Sequence, residues 1–190
     1  MRLILASQSP RRREVLKLMG LDFEVIVSNV EENAPENLSP EKLVCALALQ
    51  KAQAVYLMHP EDCVIGADTI VFIDEKVIGK PADDMDAKRI LNLLQGRTHE
   101  VYTGLAVLSS TGRDVQAERT KVVFAPMSQE EIDWYVSTGE PGDKAGAYGV
   151  QGLGSLFVEK VEGNYFNVIG MPVPLLYKML NGAGIKVLNG

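Results

Sequence analysis

Three consecutive arginines follow directly on a short apolar run near the start of the chain. Residues 3–6 are wholly apolar, and residues 7–13 read Ser-Gln-Ser-Pro-Arg-Arg-Arg. This pattern favours a buried strand and then a helix that begins at Ser9-Pro10, because serine caps helices and proline suits the first helical position. Arginines near the positive end of a helix dipole are unfavourable unless an anion offsets them. Phosphate fits this role, since guanidinium and backbone N–H groups converge on it; a solvated basic patch is the alternative.

A single carboxylate, Asp68, interrupts the strongly apolar run of residues 64–73. A carboxylate buried there without a partner would be costly, so it must be ion-paired, protonated or bound to a metal. Hard oxygen sites inside cells usually hold Mg²⁺ or Mn²⁺ together with substrate phosphates. The structural alternative, an aspartate that caps a helix or pairs with an arginine, stays open at this point.

Four further charged residues are ambiguous when each is taken alone. Glu31 and Glu32 lie in an acidic stretch, where carboxylates are usually solvated, but either one opposite Asp68 would complete a metal site. Lys80 lies between glycine and proline, in an extended backbone that suits a positioned phosphate contact. Lys51 falls in a predicted helix and fits either a phosphate ligand or an inert surface charge.

A glycine-rich stretch, residues 142–154, is a further candidate for a ligand-binding segment. Repeated glycine lets the backbone approach a ligand closely. Tyr148 could stack on or cover a base, and Gln151 could read its hydrogen-bonding edge. The stretch matches neither the phosphate-binding-loop motif nor the dinucleotide motif, and a flexible loop is the alternative. His59 and His99 have no nucleophile paired with them and are interpreted as structural.

The elements that must position these residues alternate between strand and helix, with a β-rich middle. The pattern predicts an α/β fold with a mixed sheet, and the length of 190 residues fits a single domain over residues 1–190. On the second helix, apolar residues at helical spacing predict one apolar face of Leu43, Leu47, Ala54 and Met58. Predicted helices cover residues 10–19, 40–59, 83–94, 129–138 and about 174–180, and predicted strands cover residues 3–6, 23–27, 64–73, 77–78, 101–108, 115–125 and 156–161.

The charge balance excludes some classes of partner. Nineteen basic and 25 acidic residues give a net charge of −6, which argues against a general nucleic-acid or membrane-surface binder, because both need a basic field. No apolar stretch reaches the roughly 20 residues of a membrane helix, and the apolar N-terminal run is too short for a signal peptide. Cys45 and Cys63 show no metal-ligand spacing, so we expect reduced, buried thiols in a cytoplasmic protein.

Five segments together form an ordered pattern that is more specific than any one of them: residues 6–12, 30–32, 66–69, 79–81 and 144–152. In order and spacing they resemble the Maf family of nucleoside triphosphate pyrophosphatases, with no departure from the family pattern at these motifs. The resemblance implies a mixed α/β, inosine-triphosphatase-like (Maf/Ham) fold with two lobes around a nucleotide cleft. It also implies cleavage between the α- and β-phosphates of a nucleoside triphosphate, with a divalent metal, Mg²⁺ or Mn²⁺.

The same resemblance implies roles for individual residues. Asp68 matches the catalytic carboxylate, described for the family as the proton acceptor for the attacking water, and Glu31 matches a catalytic partner; both would hold the metal. Whether Asp68 takes the proton or chiefly orients the water stays open. Attack on a triphosphate requires both a base and an offset of its negative charge. The positions that match phosphate-binding residues of the family are Ser7, Arg11, Arg12, Lys51 and Lys80.

Three specificity positions separate two branches of the family. The branch that prefers 7-methyl-GTP tends to carry an aromatic residue, Gln and Glu where this chain has Arg11, Thr69 and Gln151, so this chain fits the dTTP and UTP branch. A neutral Gln can both donate to and accept from a pyrimidine edge, whereas a Glu accepts only. The predicted substrates are therefore dTTP, UTP and base-modified pyrimidine triphosphates, whose hydrolysis would prevent the incorporation of modified nucleotides.

Two other functions remain as alternatives. One is a nucleotide-binding regulator of septum formation with little turnover, since the family is associated with cell division arrest; the other is a 7-methyl-GTP pyrophosphatase. The grouping of Asp68, Glu31 and Lys80 favours an enzyme, because binding alone needs cations more than an additional base. The expected partner is the nucleotide substrate, without nucleic acid or membrane, and a homodimer is expected from the frequency of such assemblies alone.

Overall fold

The computed structural model describes residues 1–28, 30 and 37–187. The chain divides into two compact units. The first unit comprises Met1–Asp68, Thr103–Glu118 and Gly170–Gly190, and the second comprises Thr69–Tyr102 and Arg119–Ile169. The chain first passes from one unit to the other between Asp68 and Thr69, in the middle of a strand.

Strands and helices alternate as the sequence predicts. The strands are β1 (Leu3–Leu5), β2 (Glu24–Val25), β3 (Cys63–Ile73), β4 (Lys76–Ile78), β5 (Thr98–Ser109), β6 (Gly112–Phe124) and β7 (Val158–Glu162). The helices are α1 (Pro10–Leu18), α2 (Pro40–Tyr56), α3 (Asp84–Leu94), α4 (Gln129–Ser137), α5 (Tyr165–Ile169) and α6 (Val173–Gly182). The short helix α5 was not predicted, and β7 begins two residues later than expected because Gly152–Phe157 form a 3₁₀ turn.

The strands of the described residues form a sheet in the order β2-β1-β3-β5-β6-β7, with β4 paired to β3. Strand β1 runs parallel to both β2 and β3, with Leu3 opposite Cys63 and Leu5 opposite Ile65. The β3–β4 and β6–β7 pairs are antiparallel. The predicted mixed sheet is therefore confirmed.

Serine caps begin three of the helices at the predicted positions. The side chains of Ser9, Ser39 and Ser128 each accept the backbone N–H three residues later, and Glu131 completes a full capping box at the start of α4. Such a cap contributes on the order of 1 kcal/mol. The most important of the three here is Ser9, because it fixes where the arginine-rich first turn begins.

Helix α2 packs closely on β3 within the first unit. A Cβ atom at Gly66 would lie 2.8 Å from the Cβ of Ala52, and the carbonyl of Ala48 is closer still, so only glycine fits at this position. The predicted apolar face of α2 is buried only at Leu47 and was wrong elsewhere: Met58 is 62% exposed, and Leu43 and Ala54 are half-buried. The residues of α2 that are buried are Val44, Leu47, Ala48, Ala52 and Val55.

The reason for this error is the size of the residues in contact. The prediction placed mainly large apolar side chains on the face of α2 that contacts the core. In the structure, α2 instead approaches β3 through alanines that face a glycine. Small residues on both surfaces allow the two backbones to come close, and tight packing of this kind maintains interior density. The close approach of α2 brings its polar residues near β3.

The second unit has its own apolar core between α3, α4 and the strands. The buried residues of α3 are Ala87, Ile90, Leu91 and Leu94, and those of α4 are Ile132, Tyr135 and Val136. Both cysteines are free thiols, as expected; Cys63 is buried, but Cys45 is only half-buried, contrary to the prediction. Burial, with a smaller contribution from Asp62, raises the pKa of the Cys63 thiol to about 11, so it is an unreactive core residue. Within the described residues, no helix combines the length and apolar character needed to cross a membrane.

Candidate active site

The arginine-rich start of α1 is tied to neighbouring backbone by Arg12. Its Nη1 donates to the Oγ of Ser7 at 3.2 Å and to the carbonyl of Ala67 at 2.7 Å, and its Nε donates to the carbonyl of Gly170 at 3.0 Å. Arg12 therefore joins three segments of the first unit: the end of β1, strand β3 and the residues before α6. Since Ala67 precedes Asp68, this contact places the start of α1 beside the candidate catalytic carboxylate.

This role of Arg12 is not visible in the sequence, which predicts a phosphate ligand. A guanidinium group carries five N–H donors, and the Nε and Nη1 atoms of Arg12 are engaged with protein acceptors. Arg11 is half-buried in the same turn, and Arg13 is exposed and donates to the carbonyl of Gln8 at 2.7 Å. The first turn of α1 contains no acidic residue that would offset the positive end of the helix dipole.

The carboxylate of Asp68 is ion-paired. Its Oδ1 lies 2.6 Å from the Nζ of Lys51 on α2, and the two side chains are only 11% and 16% exposed, respectively. Of the three states that the sequence allows for a buried carboxylate, the structure shows pairing, and the partner is a lysine rather than an arginine. A pair that is so little exposed must offset a large desolvation cost, so removal of one partner would leave the other charge uncompensated.

Close packing of α2 explains why this pair forms. Residues two apart on a strand point to the same face, so Asp68 and Gly66 face the same way. Because α2 covers Gly66, it also brings Lys51 to Asp68. Within the first unit, Arg12 thus contacts Ser7 and the backbone of the residue before Asp68, and Lys51 contacts Asp68 itself.

The remaining predicted site residues are placed elsewhere. Thr69 follows Asp68 on β3 and is half-buried, while Lys80 and Gln151 are exposed residues of the second unit. The backbone N–H of Gly146 donates to the carbonyl of Gly79 at 3.0 Å, which links the glycine-rich stretch to the residue before Lys80. Glu31 lies outside the residues that the structure describes.

Tyr148 does not fill the role that the sequence suggested. It is only 5% exposed, its hydroxyl lies 2.7 Å from the Nε2 of His99, and its ring packs edge-on against Phe124. Burial raises the pKa of Tyr148 and lowers the pKa of His99 to about 4. Tyr148 is a core residue of the second unit and cannot cover a base, and the structural interpretation of His99 is confirmed.

The glycine-rich stretch is ordered rather than flexible. It folds into three short 3₁₀ turns, Glu140–Asp143, Ala145–Ala147 and Gly152–Phe157. The sequence prediction missed two residues that hold it, Tyr135 and Glu140, since neither belongs to the glycine pattern. Glu140 lies two residues before the glycine-rich stretch begins, and this position was the only sequence signal of its role.

A second group of possible metal ligands is explained by an ion pair. One ligand atom from each of His59, Glu61 and Asp62 lies within 4.8 Å of the others. However, the carboxylate of Asp62 accepts from the backbone N of Arg2 at 2.9 Å and from its Nη2 at 2.6 Å. These hydrogen bonds hold the pKa of Asp62 below its usual value. Asp62 thus holds the start of β1 through Arg2. This structural role of a neighbouring residue agrees with the interpretation of His59 as structural.

A cavity in the second unit has a volume of about 320 Å³ and does not contain the predicted chemistry. Its lining includes Arg97, Asp74 and Glu100, and none of the described site residues named above belongs to it. Arg97 is itself paired with Asp74 at 2.6 Å, and the carboxylate of Glu100 is bound by Arg119 and Tyr102. Arg97, Asp74 and Glu100 of this cavity are therefore all engaged with other residues of the second unit.

Known proteins match this chain along nearly its whole length. A family model described as Maf-like protein matches residues 2–183. The chain belongs to the Maf family. Among its relatives, the dTTP/UTP pyrophosphatase of Bacillus cytotoxicus is 51% identical over 93% of both chains. The proteins of the same name from Bacillus cereus and Bacillus mycoides are 48% and 49% identical, over 99% and 94% of this chain and 98% and 94% of their own.

The fold is also found in a distant solved structure. The Staphylococcus aureus Ham1 protein superimposes with a TM-score of 0.58 at 16% identity, over 96% of this chain and 99% of that chain. At such low identity the likeness concerns the fold alone. The predicted Maf/Ham type of mixed α/β fold is confirmed by this match and by the Maf family model.

Proposed function

We propose that this Maf protein is a nucleoside triphosphate pyrophosphatase that hydrolyses dTTP, UTP and base-modified pyrimidine triphosphates to the monophosphate and pyrophosphate. The observation that carries the proposal is the buried carboxylate of Asp68 beside the arginine-rich start of a helix. Arg12 contacts the carbonyl of the residue before Asp68, and Lys51 contacts Asp68 itself. The names of relatives that are about half identical support the same substrate class.

The chemistry requires positive charge for the phosphates and a group that activates water. The positive end of the helix dipole at the start of α1, together with Arg11, suits the phosphates. Ser7, Arg12, Lys51 and Lys80 are proposed to bind phosphate as well, on the basis of the family pattern. Asp68 is proposed to accept a proton from the attacking water or to orient that water.

We also infer that a divalent cation, Mg²⁺ or Mn²⁺, takes part. The fit rests on Asp68: its carboxylate is a hard oxygen donor and already holds a cation, the Lys51 ammonium group, at 2.6 Å. Asp68 would hold the metal, and Glu31 is the proposed second ligand. When bound, a divalent cation would offset negative charge that develops on the phosphates.

Base selection is assigned to Arg11, Thr69 and Gln151. All three match the branch of the family that acts on dTTP and UTP. Gln151 is exposed, so its amide is available both to donate to and to accept from a pyrimidine edge. The proposed setting is the cytoplasm, where the enzyme would remove modified nucleotides from the pool, as a homodimer without nucleic acid or membrane.

The test is a panel of nucleoside triphosphates with product analysis. Wild-type protein is incubated with dTTP, UTP, CTP, GTP and 7-methyl-GTP, each with Mg²⁺, with Mn²⁺ and with a chelator. We expect monophosphate and pyrophosphate from dTTP and UTP, and loss of turnover in the chelator. Release of orthophosphate would contradict cleavage between the α- and β-phosphates. Tight binding of dTTP without turnover would favour the regulator, and faster hydrolysis of 7-methyl-GTP would favour the other branch.

A further inference from the structure

The carboxylate of Glu140 holds one end of the segment that carries Gln151. Its Oε2 accepts the backbone N–H of Leu153 at 2.9 Å, and its Oε1 accepts the backbone N–H of Gly154 at 3.0 Å. The hydroxyl of Tyr135 donates to the same Oε1 at 2.8 Å. One carboxylate therefore binds two successive N–H groups just after Gln151.

The hydroxyl of Tyr135 holds the other end of the same segment. It accepts the backbone N–H of Gly149 at 3.2 Å. Tyr135 is fully buried on α4, and its ring packs against Phe157 with ring centroids 5.6 Å apart. Because the Tyr135–Glu140 pair binds the backbone on both sides of Gln151, the exposed side chain of Gln151 projects from a backbone that is fixed at both ends.

The glycines of this segment are explained by the same pair. A Cβ at Gly154 would lie 2.5 Å from the hydroxyl of Tyr135, and a Cβ at Gly152 would lie 2.8 Å from the Oε2 of Glu140. Gly152 also has a φ of +78°, which favours glycine. Close approach to Glu140 at Gly152, and to Tyr135 and the carbonyl of Gly149 at Gly154, thus accounts for both glycines.

The charge states of the pair suit this role. Partial burial alone would raise the pKa of Glu140, but the hydrogen bonds from Gly154, Leu153 and Tyr135 outweigh it and lower the pKa. Burial and the nearby carboxylate raise the pKa of Tyr135, which keeps its hydroxyl protonated. At neutral pH Glu140 is therefore an acceptor and Tyr135 a donor, as the observed contacts require.

We propose that Tyr135 and Glu140 are positioning residues for base selection, which act by fixing the backbone at Gln151. The inference rests on the proposed function and deepens it, since it names residues that control which base is accepted. Loss of either contact would let Gln151 sample other positions, and its hydrogen bonds to a pyrimidine edge would weaken. The rate of the chemical step, assigned to Asp68, would change much less.

The experiment compares Glu140→Gln and Tyr135→Phe with the matched exposed controls Glu130→Gln and Tyr165→Phe. We expect each test variant to lower the ratio of kcat/KM for dTTP over that for GTP by about fivefold, the effect of roughly one hydrogen bond. The change should appear mainly in KM for dTTP, with kcat little altered. The controls should keep the wild-type ratio. Tyr135→Phe removes a single oxygen, so it keeps the proposal testable if Glu140→Gln folds poorly.

A second background shows whether the effect passes through Gln151. In protein that carries Gln151→Ala, we expect Glu140→Gln to cause no further loss of base selectivity. An equal loss in both backgrounds, or an equal loss for every nucleotide, would overturn the inference. If wild-type protein prefers dTTP and both test variants keep that preference, only the inference fails. If wild-type protein hydrolyses no nucleotide, the proposed function fails and the positioning role with it.

Discussion

The two units of this protein place their candidate functional residues by different means. In the first unit, contacts of charged side chains hold the candidate residues in place: Arg12 donates hydrogen bonds to three segments, and Lys51 forms an ion pair with Asp68. In the second unit, the backbone is held instead, through the contacts of Glu140 and Tyr135 with peptide N–H groups. Under the proposed function, Asp68 would depend on a few ionic contacts, whereas the position of Gln151 would depend on the path of the backbone.

The comparison is tested most severely by removal of the charge on Asp68. In Asp68→Asn we expect kcat for dTTP to fall by about 10³-fold, because the water loses its activating group while the side chain keeps its size. Steady-state kinetics with pyrophosphate detection measures the effect. The matched control is Asp22→Asn, an exposed aspartate of the same unit, which should retain wild-type turnover. Normal hydrolysis by Asp68→Asn would contradict the site assignment.

Lys51→Met breaks the ionic contact from its other side. We expect it to lower the free energy of unfolding by about 2 kcal/mol at neutral pH, because the little-exposed carboxylate of Asp68 is left without its cation. Adding Asp68→Asn to Lys51→Met should restore most of the loss. Urea unfolding of both single variants and the double variant gives the coupling between the two residues. Additive losses would show that the ion pair is not what stabilises this part of the first unit.

The second unit should respond to acid through its core. His99 has a folded-state pKa of about 4, lowered by burial, against about 6.5 unfolded. The unfolded chain therefore binds more protons, and stability should fall as pH drops from 6.5 towards 4, by at most about 1.4 kcal/mol per pH unit. Urea unfolding between pH 7 and 5 should show a shallower dependence in His99→Gln. His59→Gln, at a half-exposed histidine, serves as control, and equal slopes in all three proteins would contradict the prediction.

The smallest effect is expected from a substitution of Arg12, which tests the side-chain contacts of the first unit. Arg12→Lys keeps the charge but loses the planar fork that reaches Ala67 and Gly170 together. We expect a loss of about 1–2 kcal/mol in the free energy of unfolding. Arg13→Lys, in the same turn but exposed, should have almost no effect. If the two variants have the same free energy of unfolding, the contacts of Arg12 with Ala67 and Gly170 do not stabilise the first unit.

Local chemistry was predictable from the sequence, and contacts between distant segments were not. The cap at Ser9, and the starts of the helices that follow Ser39 and Ser128, were predictable because capping depends on neighbouring residues alone. The need of Asp68 for a partner was also predictable, since it follows from the cost of burying a charge. The identity of that partner, Lys51, depends on how α2 packs.

The errors share one physical cause. The buried face of α2 was wrong because small residues that face Gly66 carry no strong pattern, and Tyr148 was wrong because a glycine-rich surrounding does not show whether a ring is covered. Glu140 was missed because its partners are peptide N–H groups, which every residue except proline possesses. Each error concerns tertiary packing, for which a single sequence contains no local signal.

The absence of a side chain at Gly66 has a consequence for how this protein tolerates change. The distance between Lys51 and Asp68 depends on a contact in which neither residue takes part. Helix α2 packs directly against β3 at Gly66, where the strand has no side chain. One added methyl group there would lift the helix and draw the ammonium away from the carboxylate. Under the proposed function, a conservative replacement of this uncharged residue would then weaken turnover, although it alters none of the reactive groups.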